Sequence, residues 1–191
     1  MSYASPSSAT HSVRWTRTDA QTGERPLRTR LERHHADAWG WALHCCAGER
    51  HAAEEVLQDA YLRILEGRAR FGGGSGFRTW LFGVIRNVAR EHRRRALREA
   101  SRLVGDVPPD APAGGASPHD AAERRVLAAR LRNALDRLPE RQRDVLHLVF
   151  YQGLTVAEAA EVLGVGVGTA RTHYARAKDA MRKELEPQWS E

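Results

Sequence analysis

Residues 138–186 read LPERQRDVLHLVFYQGLTVAEAAEVLGVGVGTARTHYARAKDAMRKELE, and the order of caps, small residues and bases in that stretch decides the fold of the C-terminal half. Thr155 precedes an apolar run and Glu158 follows it by three, the reciprocal capping pattern that starts a helix. Gly164 then breaks the periodicity, and Gly168 and Thr169 open a second helix. In that helix Ala170, Tyr174, Ala177 and Met181 recur at helical spacing and make one inward face. Arg171, Thr172, Ala175 and Arg176 are left pointing outward. Small residues at the crossing (Ala159, Ala160, Gly164) let the two helices approach closely, as a helix-turn-helix requires. An ordinary helical hairpin shares the glycine break but needs neither the capped first helix nor outward bases on the second. DNA is the expected partner of this half.

The bulk composition agrees with such a partner without selecting it. The chain has 191 residues, 41% hydrophobic and 28% charged, which suits one or two small globular domains. Its net charge of +6 favours a polyanion, since each phosphate neutralised by Lys or Arg releases condensed counterions. Charge alone does not choose between DNA, RNA and an acidic protein. No apolar run approaches the roughly 20 residues that cross a bilayer, and MSYASPSSATHSVRW lacks the apolar core of a signal peptide. A cytoplasmic protein without membrane insertion is expected. Cys45 and Cys46 are adjacent within an expected helix, so their side chains leave the axis about 100° apart and form no ordinary staple. His44 beside them, with His34 and His35 upstream, raises a metal or redox site. The spacing of four zinc ligands is missing, so one buried and one edge thiol is the preferred reading, with no metal and no cofactor.

Outward from the opening stretch, the chain divides. Residues 1–25 are rich in Ser, Thr, Arg and Gly without periodicity and read as a disordered basic tail. Residues 26–103 are helical in pattern, with segments at Leu31 to Cys46, Ala52 to Leu65 and Phe77 onward. Residues 104–119, containing VGDVPPDAPAGGASP, have no apolar face and read as a flexible Pro, Gly and Ala linker. Residues 120–187 form the second helical domain, with periodicity from Asp120 to Leu138 and a restart after Pro139. The expected fold is all-α: two small helical domains on a flexible linker, the C-terminal one a helix-turn-helix. The cluster GGGSG lacks the strand before it and the Gly-Lys-Ser/Thr of a phosphate loop. No nucleophile elbow, paired carboxylates or metalloprotease motif appears, so no catalytic residue is named and an enzyme is disfavoured.

The third helix carries a second signal. Leu81, Val84, Ile85 and Val88 follow the i, i+3, i+4, i+7 rule and give a buried stripe, with Trp80 beside it. The opposite face presents Arg86, Asn87, Arg90, Arg93 and Arg94, then Arg95, Arg98 and Arg102, offset only by Glu91 and Glu99. A solvated face usually mixes signs, so this row reads as a second nucleic-acid surface. An amide among arginines suits a base edge or an unstacked base, whereas arginines mainly grip phosphates. Phe71, Phe77, Trp80 and Phe82 could stack on exposed bases, with core packing the blander account of Trp80 and Phe82.

Taken together, two helical domains, a Pro-rich linker, a basic helix in the first domain and a helix-turn-helix in the second resemble the extracytoplasmic-function sigma factors of the sigma-70 family of bacterial RNA polymerase. The resemblance rests on AEEVLQDAYLRIL (Ala53 to Leu65), FRTWLFGVIRNVAREHRRR (Phe77 to Arg95), LPERQRDVL (Leu138 to Leu146) and GVGTARTHYARA (Gly166 to Ala177), in the family's order. It implies a first domain that docks on polymerase and opens the minus-ten element, and a second that reads the minus-thirty-five element. Core RNA polymerase and promoter DNA are the implied partners, with an anti-sigma factor as a further one. Residue by residue, Glu55, Val56, Gln58, Asp59 and Leu62 match the polymerase-docking helix. Trp80, Arg86, Asn87, Arg90 and Arg94 match the minus-ten surface, where Asn87 helps capture a flipped base. Thr169, Arg171, Thr172, Ala175, Arg176, Lys178 and Arg182 match the minus-thirty-five surface, with Ala175 in place of an often larger side chain. By the same resemblance the linker threads toward the polymerase active site, and Asp106 and Asp110 suit a nucleic-acid-like path.

His34, His35 and the Cys45, Cys46 pair depart from the family's usual residues in that helix. Two rival readings stand beside it. A two-domain regulator with a LuxR-type output domain shares the capped helix and glycine turn, yet its sensing half would show strands. An RNA-binding or structural helical protein would leave the location of the Asn87 row unexplained.

Overall fold

A computed structural model describes residues 24–100 and 129–185. Residues 1–23 of the expected tail 1–25, the linker 104–119 and residues 120–128 of the helical pattern expected from Asp120 lie outside the described residues. Among the described residues every regular element is a helix: α1 (Glu24–Arg33), α2 (His35–Cys45), α3 (Arg50–Leu65), α4 (Phe77–Ala100), α5 (129–136), α6 (Glu140–Leu146), a π-helical segment (His147–Tyr151), α7 (Val156–Leu163) and α8 (Val167–Leu185).

The N-terminal helices pack through the stripes that their spacing dictates. Ala53, Val56, Leu57, Ala60 and Ile64 of α3 are buried at helical intervals, facing Leu81, Phe82, Ile85 and Val88 of α4. Trp41 of α2 fills the space between them with no exposed surface, and its Nε1 donates to the Phe82 carbonyl at 3.0 Å. That bond satisfies the one polar atom of the ring, so the indole can be buried whole. The expected first helix, Leu31 to Cys46, is two helices. α1 starts earlier, at Glu24, and the chain turns at His34 (φ −102°, ψ 10°) before α2. His34 N–H still reaches the Arg30 and Leu31 carbonyls, at 3.3 and 3.2 Å. The bend therefore keeps the His34 amide paired and needs no Gly or Pro to mark it.

The C-terminal helices follow their caps. The Thr155 hydroxyl accepts from Glu158 N–H at 3.2 Å, and Thr155 N–H donates to Glu158 Oε2 at 2.8 Å, completing the capping box. Gly164 ends α7 in the left-handed region (φ 63°, ψ 39°), where a side chain would be strained. Arg141 Nη1 donates to the Leu163 carbonyl at 3.4 Å, supplying a cation to the C-terminal end of α7. α8 begins at Val167, just before the expected Gly168. Ala134, Leu138, Ala177 and Met181 form a small cluster that seats α5 on α8, reinforced by Arg137 to Glu184 at 2.8 Å.

Two features depart from the periodicity. Residues His147–Tyr151 form a π-helical segment that leaves Phe150 and Tyr151 78% and 79% exposed while turning His147 inward. The two domains also share one core, since a single buried cluster runs from Leu31 and Trp41 through Phe82 to Leu148, Leu154, Ala159 and Ala170. α4 carries this continuity by packing on α2 and α3 and also on α7.

Candidate nucleic-acid and polymerase interfaces

The helix-turn-helix presents the residues expected of it. Ala170, Ala177 and Met181 are buried, which fixes the rotation of α8 and leaves Thr169, Arg171, Thr172, Ala175, Arg176, Lys178 and Arg182 exposed. The Thr172 hydroxyl donates back to the Gly168 carbonyl at 3.0 Å. Lys178 Nζ lies 5.0 Å from the Tyr174 ring, and Arg182 is 3.5 Å from Asp179 one turn earlier. Arg171 and Arg176 extend into solvent from the N-terminal half of α8.

On α4 the row is split. Asn87 and Arg94 are exposed and Arg90 is half-buried, so these three keep an outward face. Trp80 is 8% exposed, packed 5.4 Å from Phe71 and 5.3 Å from Phe77, with its Nε1 lacking a hydrogen-bond partner among the described residues. Arg30 lies over Phe71 and Phe77, 4.8 and 4.1 Å from the ring centres, and closes this aromatic box by cation–π contact. Arg86 faces inward rather than outward. It is 6% exposed and lies under α6, because α4 is covered on two sides.

Helix α3 is divided the same way. Glu55, Gln58 and Leu62 are exposed, Leu62 by 45%, whereas Val56 has no exposed surface and packs into the core. Asp59 is half-buried in a network: Arg63 donates to both its oxygens at 3.1 and 2.8 Å, and His92 of α4 stands 3.3 Å away. The Arg63 bonds hold the Asp59 carboxyl below its usual range, against the opposing effect of burial. Arg63 also reaches Glu91 at 2.8 Å, so the network locks α3 to α4. Beside Gln58 a groove of about 490 Å³ is lined by His35, Trp39, Glu54, Leu57 and Tyr61. Trp39 and Tyr61 were not singled out in the sequence, where a part-buried aromatic on a helix has no distinguishing spacing.

Sequence reasoning also missed the seam between the domains. Asp144 of α6 is 8% exposed, and its Oδ1 is 3.1 Å from His44 Nε2 while its Oδ2 is 3.8 Å from Arg86 Nη2. Farther along, Arg93 donates to Glu140 at 2.9 Å. His147 stacks on His44 with ring centres 4.1 Å apart and lies 5.5 Å from Trp41. Burial, aided by the nearby His44, pushes the His147 pKa down to about 3, with Asp144 opposing. Glu158 is held below the usual carboxylate range by the Thr155 backbone and hydroxyl, with smaller help from Arg78 and Thr79 across the seam. Partners about 100 residues apart in the chain carry no periodic signature.

Cys45 and Cys46 are free thiols. Burial raises Cys45 well above its ordinary pKa, and burial followed by Glu49 raises Cys46 to about 11, so both are poor nucleophiles. No metal-binding group of three or more His, Cys, Asp or Glu residues occurs among the described residues. No described helix is long and apolar enough to cross a membrane.

Residues 31–99 match the model of sigma-70 region 2, and residues 128–181 match that of sigma-70 region 4. The chain is 31% identical to the ECF RNA polymerase sigma factor EcfG of Rhodopseudomonas palustris (strain TIE-1), over 71% of this chain and 72% of that protein. It is 27% identical to the ECF RNA polymerase sigma factor SigW of Bacillus subtilis (strain 168), over 72% of this chain and 78% of that one. Among solved structures, the sigma factor RpoE in complex with the anti-sigma factor NepR from Bartonella quintana aligns with a TM-score of 0.70 at 21% identity, covering 86% of this chain and 99% of that chain. CnrH, in complex with the cytosolic domain of CnrY, aligns at 0.58 and 23%, covering 87% and 92%. These two likenesses are likenesses of fold. The match of residues 31–99 leaves no support for a LuxR-type regulator with a separate sensing half.

Proposed function

We propose that this chain, which belongs to the extracytoplasmic-function group of the sigma-70 family, recruits core RNA polymerase to promoters that it grips at two points, one through each domain. It is an RNA polymerase sigma factor, and sigma factors are regulatory proteins that direct another enzyme's chemistry. On this reading residues 26–103 form the domain that docks on polymerase through the exposed Glu55, Gln58 and Leu62 of α3, with Val56 and Asp59 fixing that helix in place. The same domain reads and melts the minus-ten element through Asn87, Arg90 and Arg94. Residues 120–187 form the domain that reads the minus-thirty-five element through Arg171, Thr172 and Arg176, with Thr169, Ala175, Lys178 and Arg182 along the groove and backbone. Residues 104–119 join them. Melting proceeds because an unstacked base held against the protein offsets a few kcal/mol of lost stacking, and Asn87 is the group that holds it.

One observation carries this reading: two exposed basic surfaces, one holding Asn87 and Arg94 and the other Arg171, Thr172 and Arg176, sit on different domains of one chain. Their separation sets a requirement. Promoter elements roughly 25 base pairs apart are separated by about 85 Å at ~3.4 Å per pair. A compact chain of this length measures only about 40 Å across by globular scaling. The domains must therefore part at the seam before both elements are held, and Arg86 is released to the minus-ten surface when they do. Such opening gives an anti-sigma partner a state to act on, by holding the domains together or keeping them from polymerase. The test is assembly on promoter DNA. The chain should co-elute with core polymerase and, only in that complex, protect both elements from nuclease. Protection of one element by the chain alone, with no gain on adding core polymerase, would contradict the two-point reading.

A further inference from the structure

At the seam lies a cavity of about 260 Å³, walled by α4 and the C-terminal end of α2 in one domain and by α6 of the other. We propose that this cavity is a binding site for a compact polyphosphate anion, held between Arg86, Arg90 and Arg93 on one wall and Arg143 on the other. Residues 86, 90 and 93 are spaced i, i+4, i+7, so their guanidiniums share one face of α4. Four guanidiniums meet two carboxylates there, Asp144 and Glu140. Asp144 is engaged by His44 and Arg86, and Glu140 by Arg93. Arg90 has no ion-pair partner among the described residues. Arg143 Nη2 donates to the Asp136 and Leu138 carbonyls at 3.2 Å each, and the Asp136 carboxylate stands 4.0 Å from its Nη1. A guanidinium pinned by neutral carbonyls and one distant carboxylate keeps most of its charge for a ligand. The lining thus holds four guanidiniums against two carboxylates, the excess supplied by α4, with Arg143 adding a guanidinium from the α6 wall.

The chemistry of those groups selects the ligand. Guanidinium forks bind phosphate oxygens in pairs, and several forks in one space favour an anion of high charge density. The cavity is several times the roughly 30 Å³ of one water, which leaves room for more than one phosphoryl group. The Arg93–Glu140 and Arg86–Asp144 bridges span the seam beside it, so a continuous nucleic-acid strand would have to break them, whereas a small anion does not. Because each wall belongs to a different domain, the site exists only while the domains are docked. An anion bound there shifts the population toward the docked state in proportion to its preference for it. It also occupies Arg90, and so competes with the promoter on the reading given above.

The binding itself is measured without polymerase or promoter, and it stands or fails apart from that reading. Titration calorimetry on the full chain uses inorganic tripolyphosphate, orthophosphate and ATP. Tripolyphosphate should bind with one site per chain and at least tenfold more tightly than orthophosphate, with ATP comparable. Binding of ATP without tripolyphosphate would overturn the anion site. Arg143→Ala and Arg90→Ala should each weaken tripolyphosphate at least tenfold, Arg90 serving as the variant that breaks no internal bond. Removing the exposed Arg28 and Arg132 together should change it less than twofold. Equal losses in all these variants would mean diffuse charge and overturn the proposal. Asp144→Asn discriminates further. Loss of a carboxylate alone would tighten anion binding, whereas loosening the seam weakens it, and tighter binding would contradict a site built from two walls.

Discussion

Replacing Asp144 by Asn should open the molecule without unfolding either domain. The carboxylate contacts His44 at 3.1 Å and Arg86 at 3.8 Å, both in the other domain, and the three side chains are only 11, 12 and 7% exposed. Removing one partner of a buried ion pair costs about 3–5 kcal/mol, because the remaining charge stays desolvated. The 3.8 Å contact is long and Asn can still bond His44, which reduces the loss to about 2–3 kcal/mol. At 1.4 kcal/mol per decade, the ratio of docked to separated domains should fall by about 30- to 150-fold. The assay is energy transfer between dyes at the exposed positions 54 of α3 and 161 of α7, with Cys45 and Cys46 replaced in both proteins. Efficiency should drop in the Asp144→Asn protein while its helical circular dichroism stays unchanged. Pairing the change with Arg86→Met should recover most of the loss, since no unpaired charge then remains at the seam. An unchanged efficiency, or a cycle coupling below about 0.5 kcal/mol, would refute the assignment of Asp144 as the clasp.

Acidification should act on the same seam through His147. Its pKa is lowered from 6.5 to about 3 in the docked state, so docking is fully favoured above pH 6.5 and weakens as pH falls toward 3, by up to about 1.4 kcal/mol per unit. The same energy transfer at pH 7.5 and 5.5 should show the loss, and His147→Phe should abolish the slope; a slope that survives it rules His147 out. Thr155→Ala should cost about 1 kcal/mol through the lost cap, seen as a lower Tm of the C-terminal domain, and an unaltered Tm would deny the capping box its role. Arg171→Ala should relax discrimination at one minus-thirty-five position by about 1–3 kcal/mol, while Arg182→Ala weakens all sequences alike. Equal losses on specific and scrambled DNA for both would remove Arg171 from base readout. Asn87→Ala should impair permanganate-detected melting more than polymerase recruitment, and normal melting would refute its base-capturing role.

Local rules carried the C-terminal domain furthest. Thr155, Glu158 and Gly164 act through bonds and backbone angles within a few residues of themselves, so their roles are legible in the sequence alone. The inward face of α8 and its exposed arginines followed from spacing alone. Apart from the local break at His34, the departures from expectation trace to distant contacts. The break at His34 is tolerated because its amide finds carbonyl partners, not because of a breaker residue. Arg86 looked like a member of an outward row, yet α6 arrives from almost 60 residues later and covers it. The π-helical segment at His147–Tyr151 and the His44–Asp144 contact depend on how the domains dock, which neither domain's periodicity encodes.

The most direct test is run-off transcription with the purified chain, purified core polymerase and a library of promoter fragments, with no other sigma factor present. Discrete transcripts should appear from a subset of fragments that share two elements, and should disappear when either element is scrambled or when Arg171 and Arg176 are replaced together by Ala. Failure to support any transcript with a core polymerase that is active with another sigma factor would contradict the central claim.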